Sequence, residues 1–144
     1  MLGRVVMDTD ALVAAVRSDR GASRVLLTAA LERRCEVLAS VPLMLQYESV
    51  LTRSEHLVAA GLSVGDVQVL LDAIALVATP VRISYLWRPM LPDPDDDLVL
   101  ETAVNGSGEV VVTFNRRHFE PAAARFGIEI LAPSEAVRRL ENRV

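Results

Sequence analysis

The chain has 144 residues, 51% of them hydrophobic, with 19 acidic against 15 basic residues for a formal net charge of −4. That size and apolar content suit one core of ordinary extent, so a single domain over residues 1–144 is expected. No apolar run reaches the roughly 18 residues of a membrane span, Asp8 and Asp10 come too early for a signal peptide, and Cys35 is alone, which points to a cytoplasmic protein with no membrane partner and no internal disulfide.

Arg4-Val5-Val6-Met7 is a short β-branched and apolar run that ends in Asp8, and Ala11 to Val16 follows with helical composition. This predicts a buried parallel strand delivering Asp8 at its carboxyl end, where open α/β sheets place their sites. Asp8 is equally suited to capping the helix, and Asp10 is expected as that cap or as a supporting neighbour. A polar turn around Gly21 leads to a helix over Ala22 to Arg34, then a strand at Glu36 to Ala39. Ser40 can cap the next helix, which tolerates Pro42 in its first turn and runs to about Thr52. Its apolar stripe reads Val41, Met44, Leu45 and Leu51, and Glu48 falls on that stripe, opposite Gln46, Ser49 and Arg53. A buried acid needs a partner, so Glu48 is either in an internal ion pair with Arg or a ligand.

Ser54 to Gly61 reads as a short helix, and Ser63 with Asp66 as a capping box ahead of a long helix through Ala78. Thr79 and Pro80 stop that helix, and Val81 to Ile83 is expected as an edge strand. Tyr85, Trp87 and Arg88 then lie in a loop, to cover the core or stack on a base. Asp93, Asp95, Asp96 and Asp97 fall within five residues, in the loop and first turn of a helix that continues through Ala103. One or two acids would cap that helix; four repel one another unless a cation sits among them.

Gly106-Ser107-Gly108 is a turn, and Glu109 to Thr113 is the strongest strand pattern in the chain. Asn115 lies just beyond it, in the same kind of position as Asp8, and Arg116, Arg117 and His118 follow. A short helix around Pro121 to Phe126, a strand at Glu129 to Leu131 and a helix from Pro133 or Ser134 to about Glu141 complete the pattern. Strands alternating with helices predict an α/β fold with a parallel sheet.

Acids from separate segments, Asp8, Glu48 and Asp96 with or beside Asp97, form an oxygen donor set without Cys, and His56 and His118 lack zinc-site spacing. Such a set suits Mg²⁺ or Mn²⁺, and phosphodiester hydrolysis is the natural reaction. Setting six acids aside (Asp8, Glu48, Asp93, Asp95, Asp96 and Asp97) leaves 13 of the 19 against 15 bases, every one of them Arg. The remaining surface thus tolerates a nucleic acid, and Arg clamps phosphate well.

The ordered motifs V-V-M-D-T-D, Y-E-S-V-L, D-P-D-D-D-L-V-L-E-T-A and V-V-V-T-F-N-R-R-H-F resemble PIN-domain ribonucleases, nearest to the branch of toxin components of toxin-antitoxin pairs. The resemblance implies a three-layer α/β/α fold with a central parallel sheet, a metal-dependent ribonuclease activity, an RNA substrate, an antitoxin partner and a homodimer. It also implies that Asp8, Glu48 and Asp96 or Asp97 bind Mg²⁺ or Mn²⁺. Many PIN domains carry an acid where this chain has Asn115, and a relative has Asp where His118 stands. Asn115 is therefore expected to orient water without adding charge, and Arg116 and Arg117 to contact RNA phosphates. Two other readings are a degenerate PIN fold that binds without turnover, and a haloacid-dehalogenase-type phosphatase suggested by Asp8-Thr9-Asp10. The phosphatase reading, like that of a receiver domain, meets a chain that lacks the lysine those sites use.

Overall fold

The computed structural model describes residues 2–84 and 94–142, so the expectations placed on Tyr85, Trp87, Arg88 and Asp93 lie outside the described residues. In chain order the elements are β1 (Arg4–Met7), α1 (Thr9–Arg17), α2 (Ala22–Leu31), β2 (Glu36–Ala39), α3 (Val41–Leu51), α4 (Ser54–Ala60) and α5 (Val64–Val77). Then come β3 (Thr79–Pro80), α6 (Pro94–Asn105), β4 (Val110–Val112), α7 (Arg116–Ala123), a 3₁₀ turn (Ala124–Phe126), β5 (Glu129–Leu131) and α8 (Pro133–Glu141). The five strands form a parallel sheet in the order β3-β2-β1-β4-β5, flanked by helices in an α/β/α arrangement.

The strands are apolar on both faces because helices cover both. Val6, Val111 and Ile130 point to one side, where they meet Leu43, Tyr47, Leu71, Leu100 and Phe119. Val5, Met7, Val110, Val112 and Leu131 point to the other, where they pack on Ala11, Leu26 and Ala136. This two-residue alternation leaves only strand ends for polar groups. The chain leaves β1 toward β2 and leaves β4 toward β5, so the β1/β4 boundary is the switch point where such sheets open a crevice.

Several boundaries depart from the sequence reading. Helix α2 stops at Leu31, before the expected Arg34, because Arg33 takes a left-handed conformation (φ 59°) and the Arg34 amide closes back on the Ala29 carbonyl at 2.8 Å. The edge strand is Thr79–Pro80 and not Val81–Ile83, since pairing with Leu38 and Ala39 fixes its place. Proline is tolerated there because an outermost strand needs fewer ladder donors. Helix α7 begins at Arg116, five residues before the expected Pro121, which puts both arginines and His118 in its first turn.

The largest correction concerns α3, whose buried face is Leu43, Tyr47 and Leu51. Val41 and Leu45, assigned inward from the sequence, are 72% and 61% exposed. Tyr47 sets the phase: its ring fills the core and its hydroxyl donates to the Met7 carbonyl at the end of β1. Tyr47→Phe should therefore lower stability by about 1–3 kcal/mol, the cost of a buried carbonyl losing a partner. A chemical denaturation midpoint equal to that of the parent would show that this bond does not hold α3 in place.

Candidate functional site

Parallel register carries the sheet's pattern directly into the site. Met7 pairs with Val112, so the next residues, Asp8 and Thr113, lie side by side past the ends of β1 and β4. The Thr113 hydroxyl donates to Asp8 Oδ2 at 2.7 Å and accepts from the Asn115 amide at 2.9 Å. Asp8 Oδ1 accepts from the Thr9 amide at 2.7 Å, so Asp8 both caps α1 and faces the crevice. Ser40, past the end of β2, caps α3 through the Leu43 amide, and its hydroxyl shares a 2.7 Å hydrogen bond with Thr102 of α6.

Asp10 is not the cap. Its Oδ2 accepts from the Phe114 amide at 3.1 Å and from the Asn115 side-chain amide at 3.0 Å, tying the first turn of α1 to the loop after β4. The Asn115 amide group is thus turned toward Asp10, while Asn115 itself is exposed at the start of α7.

Burial, more than neighbouring charge, perturbs the acids of the site. Burial, then the neighbouring Asp10 charge, pushes the Asp8 carboxyl up to about 7, against the hydrogen bonds from Thr113 and Thr9 that favour its ionised form. Asp10 is raised as well, chiefly by desolvation, and Asp96 adds to this from the first turn of α6. Asp96 Oδ2 lies 3.4 Å from Nδ1 of His118. Asp96 and Asp97 are both buried, whereas Asp95 is exposed; it is the Asp96 charge that reaches Asp10.

Glu48 occupies a different place from the one its stripe suggested. It is half-buried on the wall of a groove between α3 and α5, with Ser40, Met44, Gln68 and Asp72, so it carries no full burial cost. Among the described residues no group of three or more His, Cys, Asp or Glu side chains is placed to hold a metal ion. An open arrangement of this kind still fits the donor chemistry of Mg²⁺ or Mn²⁺, since Mg²⁺ takes only one or two protein carboxylates and keeps several waters. A cation there would also offset the burial, and the smaller charge repulsion, that raise Asp8 and Asp10.

Of the two arginines, Arg116 is engaged: its guanidinium pairs with Glu135 at the start of α8 and lies 3.5 Å from Glu120. It braces α7 against α8, leaving Arg117 exposed. The sequence reading did not single out Thr113, Phe114 or Glu101. Thr113 could have been found from its register with Asp8, and Glu101, which is fully buried, from its one-turn spacing after Asp97. Phe114, at 56% exposure beside the acids, is legible only in three dimensions.

Fold and site together define an open parallel α/β protein with an acidic site at the carboxyl edge of its sheet. The PIN-domain family profile matches residues 4–117, from β1 to the first turn of α7 and so across all of these acids, and the chain belongs to that family. PIN domains are generally nucleases and usually use divalent metal ions. No curated protein matches the chain. The phosphatase and receiver readings fall with this assignment.

Proposed function

We propose that the chain is a Mg²⁺- or Mn²⁺-dependent endoribonuclease that hydrolyses phosphodiester bonds in RNA, acting in the cytoplasm as the toxin of a toxin-antitoxin pair. The observation that supports it most is Asp8, a 4% exposed carboxylate placed beside Asp10 and raised to about 7 at the switch point of the sheet. Proteins keep such a repulsive arrangement where a cation or a proton transfer makes use of it.

Of Asp8, Asp96, Asp97 and Glu48, one or two would hold the cation directly, and the others would act on it through its waters. When bound, the cation supplies Lewis-acid stabilisation of charge on the phosphoryl group and acidifies water. Thr113 holds Asp8 in one rotamer through its hydroxyl, and Asp10 fixes the Phe114–Asn115 loop that forms the rim. Asn115 adds no charge, so the site works with fewer acids than many PIN domains.

RNA would lie across that rim. Arg117 offers an exposed guanidinium for a phosphate, and Phe114 an exposed ring on which a base can stack, a contact worth about 1–3 kcal/mol. Arg117→Ala should lower the slope of log affinity against log salt by about 0.7. Arg116→Ala should leave that slope unchanged, and Phe114→Ala should weaken binding of a single-stranded oligonucleotide about tenfold or more. Equal slopes for the parent and Arg117→Ala would move the phosphate contact elsewhere.

The toxin reading rests on the sequence motifs, and exposed Val41, Leu45, Val69 and Leu76 on α3 and α5 offer apolar area for a homodimer or an antitoxin. Turnover of labelled single-stranded RNA with added Mn²⁺ tests the nuclease. Metal-independent RNA binding without any cleavage would favour the second reading, a PIN domain that only binds, to which the neutral Asn115 lends itself. Growth arrest on induction in a bacterial host, relieved by the product of an adjoining small open reading frame, tests the toxin role.

A further inference from the structure

The amino edge of the sheet, opposite the acids, holds a second concavity. A cleft of about 990 Å³ opens where β1, β2 and β4 begin, at the upper end of the roughly 300–1,000 Å³ of small-molecule sites. Arg4, Arg33 and Arg34 line it with Glu36 and Glu109, three cations against two anions in a chain whose formal net charge is −4. Leu2, Val77 and Leu140 give it an apolar wall.

Backbone strain gathers at this cleft. Among the described residues the non-glycine positions with positive φ are Arg33 (59°) and Ser107 (53°), in the turns that lead into β2 and β4. Glycine would take either conformation without the crowding that a Cβ meets there, and such costs collect where a site makes use of them. The Ser107 carbonyl accepts from Arg4 Nε at 2.9 Å, fixing that guanidinium. Arg33 is exposed and makes no ion pair among the described residues. Arg34 and Arg4 stand 2.8 Å from Glu32 and 3.4 Å from Glu109, exposed pairs that water screens and an anion can displace. Glu36 accepts from the Thr79 hydroxyl through Oε2 at 2.9 Å, which leaves Oε1 to a ligand.

We propose that this cleft binds a free nucleoside polyphosphate, at a site separate from the nuclease site and independent of that reading. Each part of the lining matches a part of such a molecule. The guanidiniums suit phosphate oxygens, the carboxylates of Glu36 and Glu109 suit ribose hydroxyls, and the apolar wall suits a face of the base. An inorganic anion would use the first of these alone. Three guanidiniums on one cleft also favour phosphates gathered at one end of a molecule over an RNA strand, which spreads its charges one to a nucleotide. Arg4 opens β1 and Asp8 follows its end, so the strand itself holds the two sites apart.

The test is calorimetric titration of the full-length protein with ATP in chelator, compared with tripolyphosphate, adenosine and a single-stranded RNA oligonucleotide. ATP should bind at one site per chain, with equal affinity in the parent and in Asp8→Asn, and about tenfold or more tighter than tripolyphosphate or adenosine. Arg33→Gly suits the left-handed conformation, so it should melt no lower than the parent yet lose about tenfold in ATP affinity. Replacing Arg33 and Arg34 together with Ala should cost about a hundredfold, with circular dichroism unchanged. Absence of saturable ATP binding overturns the inference, as does equal affinity for tripolyphosphate or undiminished affinity in Arg33→Gly. Loss of binding in Asp8→Asn would place the nucleotide at the acidic edge, and displacement of ATP by the oligonucleotide would give the cleft to an RNA strand; either result also overturns it. Failure of this site leaves the nuclease reading standing.

Discussion

Asp8→Asn should yield a protein that melts at least about 5 °C higher than the parent in chelator at pH 7.5, gains nothing from Mn²⁺ and has lost RNA cleavage by a factor of 100 or more. The direction follows from the geometry. Asparagine keeps a side-chain oxygen for the Thr9 amide and presents its own amide to the Thr113 hydroxyl, so cap and strand-end contact survive. What disappears is a buried charge that the fold tolerates at a cost of about 1.4 kcal/mol for every pKa unit by which it is raised. With the parent, millimolar Mn²⁺ should raise the melting temperature by mass action on the folded state. A variant that is less stable than the parent in chelator, or that still gains stability from Mn²⁺, would remove Asp8 from the metal site.

The same carboxylate fixes the pH dependence of the metal-free protein. Its pKa is near 3.8 unfolded and about 7 folded, so the folded state binds the proton more tightly between those values. Stability from this group is greatest below pH 4 and is lost as pH rises toward 7, with Asp10 acting in the same direction. The carboxylates held low, Asp66 by its capping box, Glu129 by Arg139 and Glu135 by the Ala132 amide, act oppositely, but they are exposed or half-exposed and titrate below their ordinary values near 4. Melting temperature in chelator should accordingly fall from pH 5 to pH 7.5, and saturating Mn²⁺ should flatten or reverse that slope. A chelated protein whose stability rises over this interval would show that the Asp8 carboxyl is ionised at low cost.

The parts of this site legible in the sequence are those that local pattern encodes. A β-branched run ending in Asp8, and another ending in Thr113 and Asn115, mark strand ends, and a cluster of aspartates before an apolar run marks the start of α6. Phase and partner are different matters. Tyr47 counts as core only because the Met7 carbonyl accepts its hydroxyl, and without that bond Val41 and Leu45 look like the inner face. Asn115 to His118 is a polar stretch with no side-chain cap, so nothing local announces that α7 begins there. Arg116 reads as a free phosphate ligand until Glu135, 19 residues on, is folded against it. Asp10 similarly acquires its role from a loop more than 100 residues away.

Asn115→Asp is expected to separate the metal-free and metal-bound forms more sharply than any other single change. In the parent the Asn115 amide donates to Asp10 Oδ2 at 3.0 Å; in the variant a carboxylate faces a carboxylate across the same gap. Loss of a hydrogen bond to a charged acceptor costs about 1.5–3 kcal/mol, and because Asn115 is exposed, solvent screening keeps the added repulsion toward the lower end. The extra charge also raises Asp10 and Asp8 further, so the destabilisation should grow with pH and be relieved by protonation. With Mn²⁺ present the sign reverses, since the rim repulsion that weakened the fold now favours the cation, and a second ion can be held. The variant should therefore unfold at lower denaturant than the parent in chelator, bind Mn²⁺ about tenfold more tightly, and cleave single-stranded RNA at least as fast. Unaltered affinity and turnover would mean that Asn115 serves only to fasten Asp10 and the start of α7, and that the charge of the site is complete without it.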